Sequence, residues 1–418
     1  MSYARSVLHV DVNAAFLSWS AIHRLRQGET LDIRTIPAVI GGDTETRHGI
    51  VLAKSNMAKK YGVVTGETLF SARCKCPELS VYPPLYPVYA AYSQKMYQLL
   101  STYTPVVERY SIDECFLDLT GSLTMLRMTA WEAALEIRQR IWDELGFTVN
   151  IGVSTNKLLA KMAGELHKPN TVMTLYPEEI PRKLWPLPVG ELFMVGRKTR
   201  KALESRGIYT IDALAHTDPA FLRSFLKSHG MQIWSYANGM DASPVVLRDT
   251  IPPKSYSQSS TMPKDLTNLP AITSAMLPFC ESIATRMRKD GFVCQNTAVF
   301  LKYHDFSTIC RQRTLPHPTD QTEEIIFFCT QILHSLWNGQ PVRQIGVRLS
   351  HLQERPAEQL CLFDLQAQKQ QKARDAVVDR IRQKYGRKAL LRASSLGSSH
   401  DRLDRLGAEE KPRVTCPF

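Results

Sequence analysis

The sequence predicts a multidomain protein of the α/β class, and three observations lead to this prediction. A chain of 418 residues is too long for one ordinary hydrophobic core and suggests roughly two to four domains. Strand-like and helix-like segments alternate as far as about residue 176, which is typical of a mixed sheet covered by helices. Short helices then follow, and a second alternating unit comes after them.

The first alternating unit begins with an apolar strand that ends at Asp11 and continues into a helix with apolar residues at helical spacing. The segments IPAVIGG and GIVLAKS predict short strands, and SNMAKKYGV predicts a short helix. Further helices are predicted at about 88–102 and 130–145, with two strand-like halves in VVERYSIDECFLDLTG between them. The strand FTVNIGVST leads into a helix that Pro169 stops, because proline cannot continue a helix.

The remaining elements are predicted by turn residues and periodicity. Glycines between about 178 and 243 separate short helices, and the Pro- and Ser-rich SPVVLRDTIPPKSYSQSS predicts a linker that runs into a strand. The second unit contains two helices and two strands and ends near residue 352. Beyond it the sequence is polar, with one amphipathic helix predicted in QKARDAVVDRIRQKYG and a charged tail that we expect to be loose.

Composition favours a polyanionic partner. Lys and Arg number 52 against 40 Asp and Glu, so the net charge is +12, which suits nucleic acid or an anionic membrane. The sequence has no apolar run of about 18 residues and no apolar N-terminal signal core, so we expect a soluble, cytoplasmic protein that does not enter a membrane. Nine cysteines without metal-ligand or disulfide spacing fit a reducing compartment.

Three acidic residues form the main candidate site. Asp113 and Glu114 are adjacent within the strand-like YSIDECF, and Asp11 lies at another strand end. If the sheet brings the three together, a divalent cation would offset their repulsion, and Mg²⁺ prefers such oxygen ligands. Adjacent residues of a straight strand point to opposite faces, so this arrangement requires a bend. The alternative is that Asp113 and Glu114 are turn or edge-strand acids facing solvent.

Several motifs in order carry a resemblance to a known family. HVDVNAAF, SIDE followed by CFLDLTG, and GVSTNKLLAKMAGELHKPN resemble the Y-family DNA polymerases, the ImpB/MucB/SamB group that includes polymerase IV and UmuC. The resemblance covers about residues 5–400 and implies a right-hand polymerase. It places a palm at 1–20 and 80–176, small fingers at 21–79, a helical thumb at 177–243, a little finger at 250–352 and a clamp-binding, flexible C-terminal tail at 353–418. The DVNA start and YGRKALLRASSL favour the UmuC side.

The resemblance assigns roles to the residues around the acids. Asp11, Asp113 and Glu114 are implied to be catalytic and to hold two Mg²⁺ ions, with the backbone carbonyl of Val12 as a further ligand. Such ions, about 3.5–4 Å apart, would clamp the attacking and leaving oxygens of phosphoryl transfer. Phe16 matches the steric gate, an aromatic ring that leaves no room for a 2′-hydroxyl on the incoming nucleotide. The alternative for Phe16 is an ordinary core aromatic.

Cationic and polar residues are implied to bind the triphosphate. They are Asn56 and Lys59 in the fingers segment and Lys168 in HKPN. The polymerase IV pattern has a tyrosine and an arginine in the fingers segment, so this departure also favours the UmuC side. Lysine cannot make the bidentate contact to phosphate that arginine makes. Lys157 and Lys161 lie four residues apart on one predicted helix face, where they either support the site or face solvent.

The predicted thumb contains a sequence that resembles a helix-hairpin-helix. In this motif a glycine turn and a helix N-terminus present backbone N–H groups to a DNA phosphate without reading sequence. Gly196, Arg197, Lys198 and Arg200 are the implied DNA-binding residues, while Met194 stands where the hairpin usually has its first glycine.

A docking peptide is predicted after the little finger. The segment QLCLF matches the pentapeptide by which bacterial polymerases bind the β sliding clamp, and its implied contact residues are Gln359, Leu360, Leu362 and Phe363. The alternative is a local apolar cluster.

The predicted function is error-prone translesion DNA synthesis during DNA damage tolerance or the SOS response, without proofreading. Primer-template DNA, dNTPs and the sliding clamp are the implied partners, and RecA or UmuD-type accessory proteins are left open. Two alternatives remain at this stage. One is a catalytically silent DNA- and clamp-binding factor of the same fold, and the other is a metal-dependent cyclase or nuclease, which Gly41-Gly42-Asp43 superficially resembles.

Overall fold

The computed structural model describes residues 5–43, 49–247, 252–354, 365–386 and 389–393. These residues divide into two compact units, one formed by the described parts of 1–42 and 50–251 and the other by those of 43–49 and 252–409. None of the helices in these ranges is both long enough and apolar enough to cross a membrane.

The first unit has a five-stranded palm sheet with the strand order β5-β6-β1-β7-β8 and a three-stranded fingers sheet with the order β3-β2-β4. All neighbours in the palm sheet are antiparallel except β7 and β8, so the sheet is mixed as predicted. The strands are β1 Val7–Val12, β2 Ala38–Gly41, β3 Val51–Lys54, β4 Ser80–Tyr82, β5 Val107–Arg109, β6 Glu114–Asp118, β7 Val149–Ser154 and β8 Val172–Thr174.

Seven helices surround these two sheets. They are α1 Ala15–Arg26, α2 Asn56–Lys60, α3 Leu69–Lys75, α4 Tyr86–Leu100, α5 Leu123–Leu126, α6 Ala130–Arg140, which a π-helical turn Ile141–Leu145 extends, and α7 Lys157–Leu166. The predicted palm–fingers boundary at residue 20 falls inside α1. Side chains of this helix pack into both modules, because Trp19 belongs to the palm core and Leu17 to the core of the fingers sheet.

Strand β1 is buried on both faces, and the alternation of its side chains decides what each face contacts. Leu8 and Val10 pack into the main palm core with α4 and α6. Val7 lies on the opposite face with Ala160 of α7, and His9 and Asp11 follow it on that face at the strand's two-residue period.

Helix α7 lies unusually close to the palm sheet because Gly152 has no side chain. A Cβ at Gly152 would lie 1.8 Å from the carbonyl oxygen of Ala160 and 2.5 Å from the backbone nitrogen of Gly164. The helix begins at Asn156, whose side chain accepts a hydrogen bond from the Leu159 N–H at 2.8 Å. This close approach brings the polar side chains of α7 against the acidic end of β1 and β6.

The predicted thumb is all helical, as expected. It consists of α8 Ile180–Lys183, α9 Arg197–Glu204, α10 Ile211–Ala215, α11 Pro219–Leu226 and α12 Ser228–Ala237, with 3₁₀ turns at Pro177–Glu179 and Val189–Glu191. Its apolar residues, which include Leu203, Leu214 and Ile233, form a core together with the apolar side of α7, which contributes Leu159 and Met162.

The second unit has a four-stranded antiparallel sheet with the order β11-β10-β12-β9, packed against two helices. The elements are β9 Ser255–Leu266, α13 Leu269–Lys289, β10 Phe292–Tyr303, β11 Thr308–Thr319, α14 Thr322–Leu336, β12 Val342–Glu354 and α15 Leu365–Tyr385. They include both helices and both strands predicted for this unit.

Helix α15 corrects one expectation. Residues 353–418 are predicted to be a flexible tail with one amphipathic helix, but residues 365–385 form a longer helix that is ion-paired to α13 and α14. The predicted helix is therefore confirmed and extended at its N-terminus, while its ion-paired attachment could not be read from the sequence pattern.

Candidate active site

The two strands that carry the acids lie side by side. Asp11 on β1 is directly opposite Glu114 on β6, so the two side chains leave the same face of the sheet. The backbone of Asp113 also contacts β1, because its carbonyl oxygen accepts a hydrogen bond from the Val12 N–H at 3.1 Å. Residues 110–113 are not strand, which provides the bend required between β5 and β6.

Glu114 is held through one of its two oxygens. Lys161 Nζ lies 2.6 Å and His9 Nε2 lies 3.2 Å from the same atom, Glu114 Oε2. Burial alone would raise the pKa of Glu114, but the His9 hydrogen bond and the Lys161 charge together lower it to about 2. Glu114 is therefore an anion at neutral pH.

Asp11 has a different partner. Lys168 Nζ lies 2.7 Å from Asp11 Oδ2 and 2.8 Å from Glu165 Oε1, with 35% of the Lys168 side chain exposed. Burial raises the pKa of Asp11, and the charge of Lys168 offsets only part of this effect. Lys168 is shared between the largely buried Asp11 and the exposed Glu165, so its ammonium group has a second partner if the contact with Asp11 is lost.

Asp113 forms the third acidic position. Ser111 Oγ donates a hydrogen bond to Asp113 Oδ1 at 2.6 Å, and burial raises the pKa of the carboxyl group. Its side chain lines a cleft between palm and fingers and makes no ion pair with Lys161 or Lys168 among the contacts of the described residues.

The donor chemistry of these acids fits a hard divalent cation. Asp11 and Asp113 are buried carboxylates whose pKa values are raised by burial, and a cation would offset that penalty. Within the described ranges, however, no three Asp, Glu, His or Cys side chains are gathered closely enough to form a ready-made metal site. The sheet therefore brings Asp11 and Glu114 together, while lysine contacts occupy one oxygen of each.

The cleft beside Asp113 has a volume of about 310 Å³. Its wall consists of residues from β1, the start of α1, β3, and the start of α2: Val12, Ala14, Ala15, Phe16, Leu52, Ala53, Lys54, Ser55, Asn56, Lys59, Thr65 and Asp113. Ala14 adopts a left-handed conformation with φ of 46°, and α1 begins immediately after it. This sharp turn directs the first residues of α1 towards the cleft.

Phe16 lies between the cleft and the aromatic core, and its role as a steric gate stays a prediction. It lines the cleft, and its ring also stacks on Tyr89 with 4.5 Å between ring centroids and 7° between planes. Tyr86 contacts the Phe16 ring edge-on at 6.3 Å. The aromatic packing fixes the orientation of a ring that faces the cleft.

The residues predicted to bind the triphosphate separate into two groups. Asn56 and Lys59 line the cleft, whereas Lys168 is bound to Asp11 and does not line it. Lys54 also lines the cleft, and sequence reasoning missed it. The two-residue period of β3 could have indicated it, because Lys54 lies on the same side of the strand as Leu52, which also lines the cleft.

The predicted DNA-binding residues lie at the start of α9. Gly196 is the N-cap of this helix, and Arg197, Lys198 and Arg200 are exposed. Arg200 donates to Glu204 at 2.6 Å, which restrains its guanidinium on the helix surface.

The hairpin before α9 forms without its usual first glycine. Met194 adopts the left-handed conformation, with φ of 74°, that a glycine would adopt at lower cost.

The predicted docking residues Gln359, Leu360, Leu362 and Phe363 lie outside the described residues.

Three protein-family models match successive parts of the chain. Residues 10–165 match the impB/mucB/samB family, residues 177–208 match the IMS family HHH motif, and residues 253–362 match the impB/mucB/samB family C-terminal domain. The second match covers the hairpin and α9, and the third covers the sheet of the second unit.

Individual relatives agree with these matches. DNA polymerase IV of Clostridium acetobutylicum is 44% identical over 93% of this chain and 98% of its own length. DNA polymerase IV 2 of Bacillus subtilis is 34% identical over 98% of this chain and 100% of its own length. A solved structure of a Y-family DNA polymerase chimera covers 84% of this chain with a TM-score of 0.71 and 22% identity, which shows the same fold.

Fold, site and relatives define a DNA-directed DNA polymerase of the right-hand kind. The chain belongs to the impB/mucB/samB family, the Y family of DNA polymerases. The relatives named above carry polymerase IV names and do not distinguish a UmuC-like role, so that part of the expectation stays a prediction.

Proposed function

We propose that this polymerase carries out translesion DNA synthesis by metal-assisted transfer of a deoxynucleotide to a primer 3′-hydroxyl. One observation carries the proposal. Asp11 of β1 lies directly opposite Glu114 of β6, and the neighbouring Asp113 lines a cleft whose wall also contains the stacked ring of Phe16 and two lysines, Lys54 and Lys59. This combination suits an anionic, sugar-containing substrate whose reacting phosphate lies against the acids.

The carboxylates of Asp11, Asp113 and Glu114 and the carbonyl of Val12 would hold two Mg²⁺ ions. Such ions, when bound, supply charge neutralisation for the phosphates and lower the pKa of the attacking hydroxyl. The chain's own contribution is to keep these acids partly buried on a rigid sheet, so that little reorganisation is needed during the reaction.

The lysines would bind the triphosphate from two sides. Lys54 and Lys59 are within the cleft wall, and Lys168 would leave Asp11 for an incoming phosphate. This exchange frees Asp11 Oδ2 when the nucleotide arrives. Phe16, fixed by Tyr89, would lie under the sugar and exclude a 2′-hydroxyl.

The other modules would hold and recruit DNA. Gly196, Arg197, Lys198 and Arg200 at the start of α9 would bind backbone phosphate without sequence preference. Residues 359–363 would bind the β sliding clamp. We further propose a cytoplasmic role in SOS-type damage tolerance, with low fidelity because the fingers are small. RecA or UmuD-type accessory proteins are additional candidate partners.

The direct test is primer extension on undamaged and damaged templates with Mg²⁺, compared with the same reaction in EDTA. Extension past a lesion that blocks a replicative polymerase is expected. Absence of any extension product would favour a silent DNA- and clamp-binding factor, whereas cyclic nucleotide or cleaved DNA would indicate a cyclase or nuclease.

Two variants test the finer assignments. Phe16→Ala is expected to raise ribonucleotide incorporation while DNA synthesis remains detectable. Leu362→Ala with Phe363→Ala is expected to abolish stimulation by the clamp without changing basal synthesis, since the QLCLF segment is implied only in docking. Unchanged sugar selectivity or persistent stimulation would contradict the respective assignment.

A further inference from the structure

The side chain of Glu114 is held in one orientation by two donors on the same oxygen. Lys161 Nζ and His9 Nε2 both contact Oε2, at 2.6 and 3.2 Å. Glu114 Oε1 accepts no hydrogen bond from any described residue. One carboxylate oxygen is therefore fixed by the protein, and the other is available to a ligand.

His9 is suited to this role because it cannot move. The side chain is fully buried, and its ring lies 4.7 Å from the ring of Phe116. On the other side α7 approaches so closely that a Cβ at Gly164 would lie 3.5 Å from His9 Nδ1. His9 is two residues before Asp11 on β1, so it leaves the sheet on the same face as the acids.

The protonation state of His9 follows from its surroundings. The ring is completely buried, and Nε2 lies 3.2 Å from Glu114 Oε2. The carboxylate of Glu114 can only accept a hydrogen bond, which assigns the proton to Nε2. Nδ1 is then an unprotonated acceptor, and it has no hydrogen-bond partner among the described residues.

Lys161 is restrained by aromatic rings. Its Nζ lies 5.3 Å from the ring centroid of Tyr110 and 5.5 Å from that of Phe193, and its side chain is 13% exposed. Cation–π contact at this distance stabilises the ammonium group where it meets Glu114. Lys168 is shared between Asp11 and the exposed Glu165, whereas Lys161 pairs with a single acid from a partly enclosed position.

We propose that His9 and Lys161 are positioning residues that fix Glu114 through Oε2 and direct Oε1 towards the catalytic metal. This inference rests on the proposed function, in which Glu114 is a metal ligand. Partners that orient metal-ligating side chains commonly change metal affinity or activity by about 10- to 100-fold when they are removed.

The variants are chosen to remove donors while keeping shape. His9→Phe keeps a ring against Phe116 but has no donor, and Lys161→Met keeps most of the side-chain volume without the charge. Lys161→Arg retains donors and charge and serves as the conservative rescue. Lys157→Met is the matched control, because Lys157 lies one turn earlier on α7 and pairs with Glu108 at 2.8 Å instead.

Two measurements separate positioning from folding. The first measurement follows Mn²⁺ binding by the electron paramagnetic resonance signal of free Mn²⁺. The sample contains the full chain, a dideoxy-terminated primer-template and a non-hydrolysable dNTP. Single-turnover extension with Mg²⁺ gives the maximal rate and the dNTP dissociation constant. Thermal denaturation midpoints show whether each variant folds.

His9→Phe and Lys161→Met are expected to weaken Mn²⁺ binding and lower the maximal rate by about 10- to 100-fold each, with the dNTP dissociation constant within about threefold of wild type. Lys161→Arg should recover most of both losses. Lys157→Met should alter the denaturation midpoint more than the metal affinity. Should His9→Phe not fold, Lys161→Met with its rescue decides the outcome, since its side chain is partly exposed.

A Glu114→Gln variant serves as the reference, because it tests whether Glu114 is a metal ligand separately from whether His9 and Lys161 position it. If Glu114→Gln weakens Mn²⁺ binding while both donor variants bind Mn²⁺ like wild type, the positioning role is wrong and the proposed function stands. If Glu114→Gln itself leaves Mn²⁺ binding unchanged, Glu114 is not a ligand, and both the metal assignment and the positioning role are overturned.

Discussion

Helices α7 and α15 both place charged side chains against the core of their unit, but the charges serve opposite purposes. Helix α7 is held by apolar packing, with six of its residues buried, and by the close approach at Gly152. Its lysines then reach the acids of the palm. Helix α15 has one fully buried residue between 370 and 386, and that residue is Asp375.

The attachment of α15 consists mainly of ion pairs and charged hydrogen bonds. Arg288 of α13 donates to both oxygens of Asp379, at 2.8 and 3.0 Å. Asp375 accepts a hydrogen bond from the Thr322 N–H at 3.0 Å, at the first residue of α14. Arg382 pairs with Glu281 at 2.9 Å.

The comparison shows two uses of a helical ion pair. On α7 the fold is secured by apolar contact and backbone proximity, so its charged groups are free to serve the site. On α15 the charged groups are themselves the attachment, and they should be sensitive to salt and to substitution. Three predictions test this distinction, and one tests the acidic site that α7 supports; they are given from the largest expected effect to the smallest.

Replacing Asp113 with Asn should abolish synthesis while leaving the palm folded. We expect at least about a 10³-fold loss of single-turnover rate, because several kcal/mol of charge stabilisation would be lost. The denaturation midpoint should stay at or above that of wild type, since burial raises the pKa of this carboxyl and its ionised form is costly in the fold. A stable variant with a near-normal rate would remove Asp113 from the site.

Gly152→Ala should unfold the palm because α7 cannot move away from β7 without losing its apolar contacts. The new Cβ would overlap the carbonyl of Ala160, and we expect a loss of about 3 kcal/mol or more in the free energy of unfolding. Gly121→Ala is the matched control, since a Cβ there meets nothing within 4 Å. Equal stability of the two variants in urea denaturation would contradict the close approach.

Arg288→Ala should release α15 without unfolding the sheet of the second unit. Asp379 and the buried Asp375 would lose a cationic partner, at a cost of about 2–3 kcal/mol. Hydrogen exchange is expected to accelerate in 370–385 and to remain slow in β10. Arg380→Ala serves as the control, because Arg380 is exposed on the same helix. Unchanged protection of α15 would show that apolar contacts hold it.

Raising NaCl from about 0.1 to 1 M should have the smallest effect, and it should be confined to α15. The Debye length falls from about 10 to about 3 Å over this range, which weakens partly exposed ion pairs. Exchange in α15 should accelerate by a few-fold, whereas α7, held by apolar packing, should retain its protection. Equal acceleration in both helices would indicate that the two attachments do not differ.

The family motifs made the acidic residues and Phe16 predictable, because each is embedded in a short sequence with a characteristic order. His9, the partner of Glu114, was not predictable. Its role depends on the register that puts Asp11 opposite Glu114 and on the depth at which α7 packs. Lys161 was recognised only as a residue on the same helix face as Lys157, since a helical period indicates a face but not what that face contacts.

The sequence by itself determined the family, the order of the modules, and most of the helices and strands, because periodicity and turn residues act over short distances along the chain. Tertiary structure decided which oxygens of the acids are occupied, which lysines reach the cleft, and how α15 is attached. Those outcomes depend on contacts between residues about 50 to 160 positions apart, such as Glu114 with Lys161, Asp11 with Lys168, and Arg288 with Asp379. No local pattern encodes them, since each requires two separately folded elements to meet.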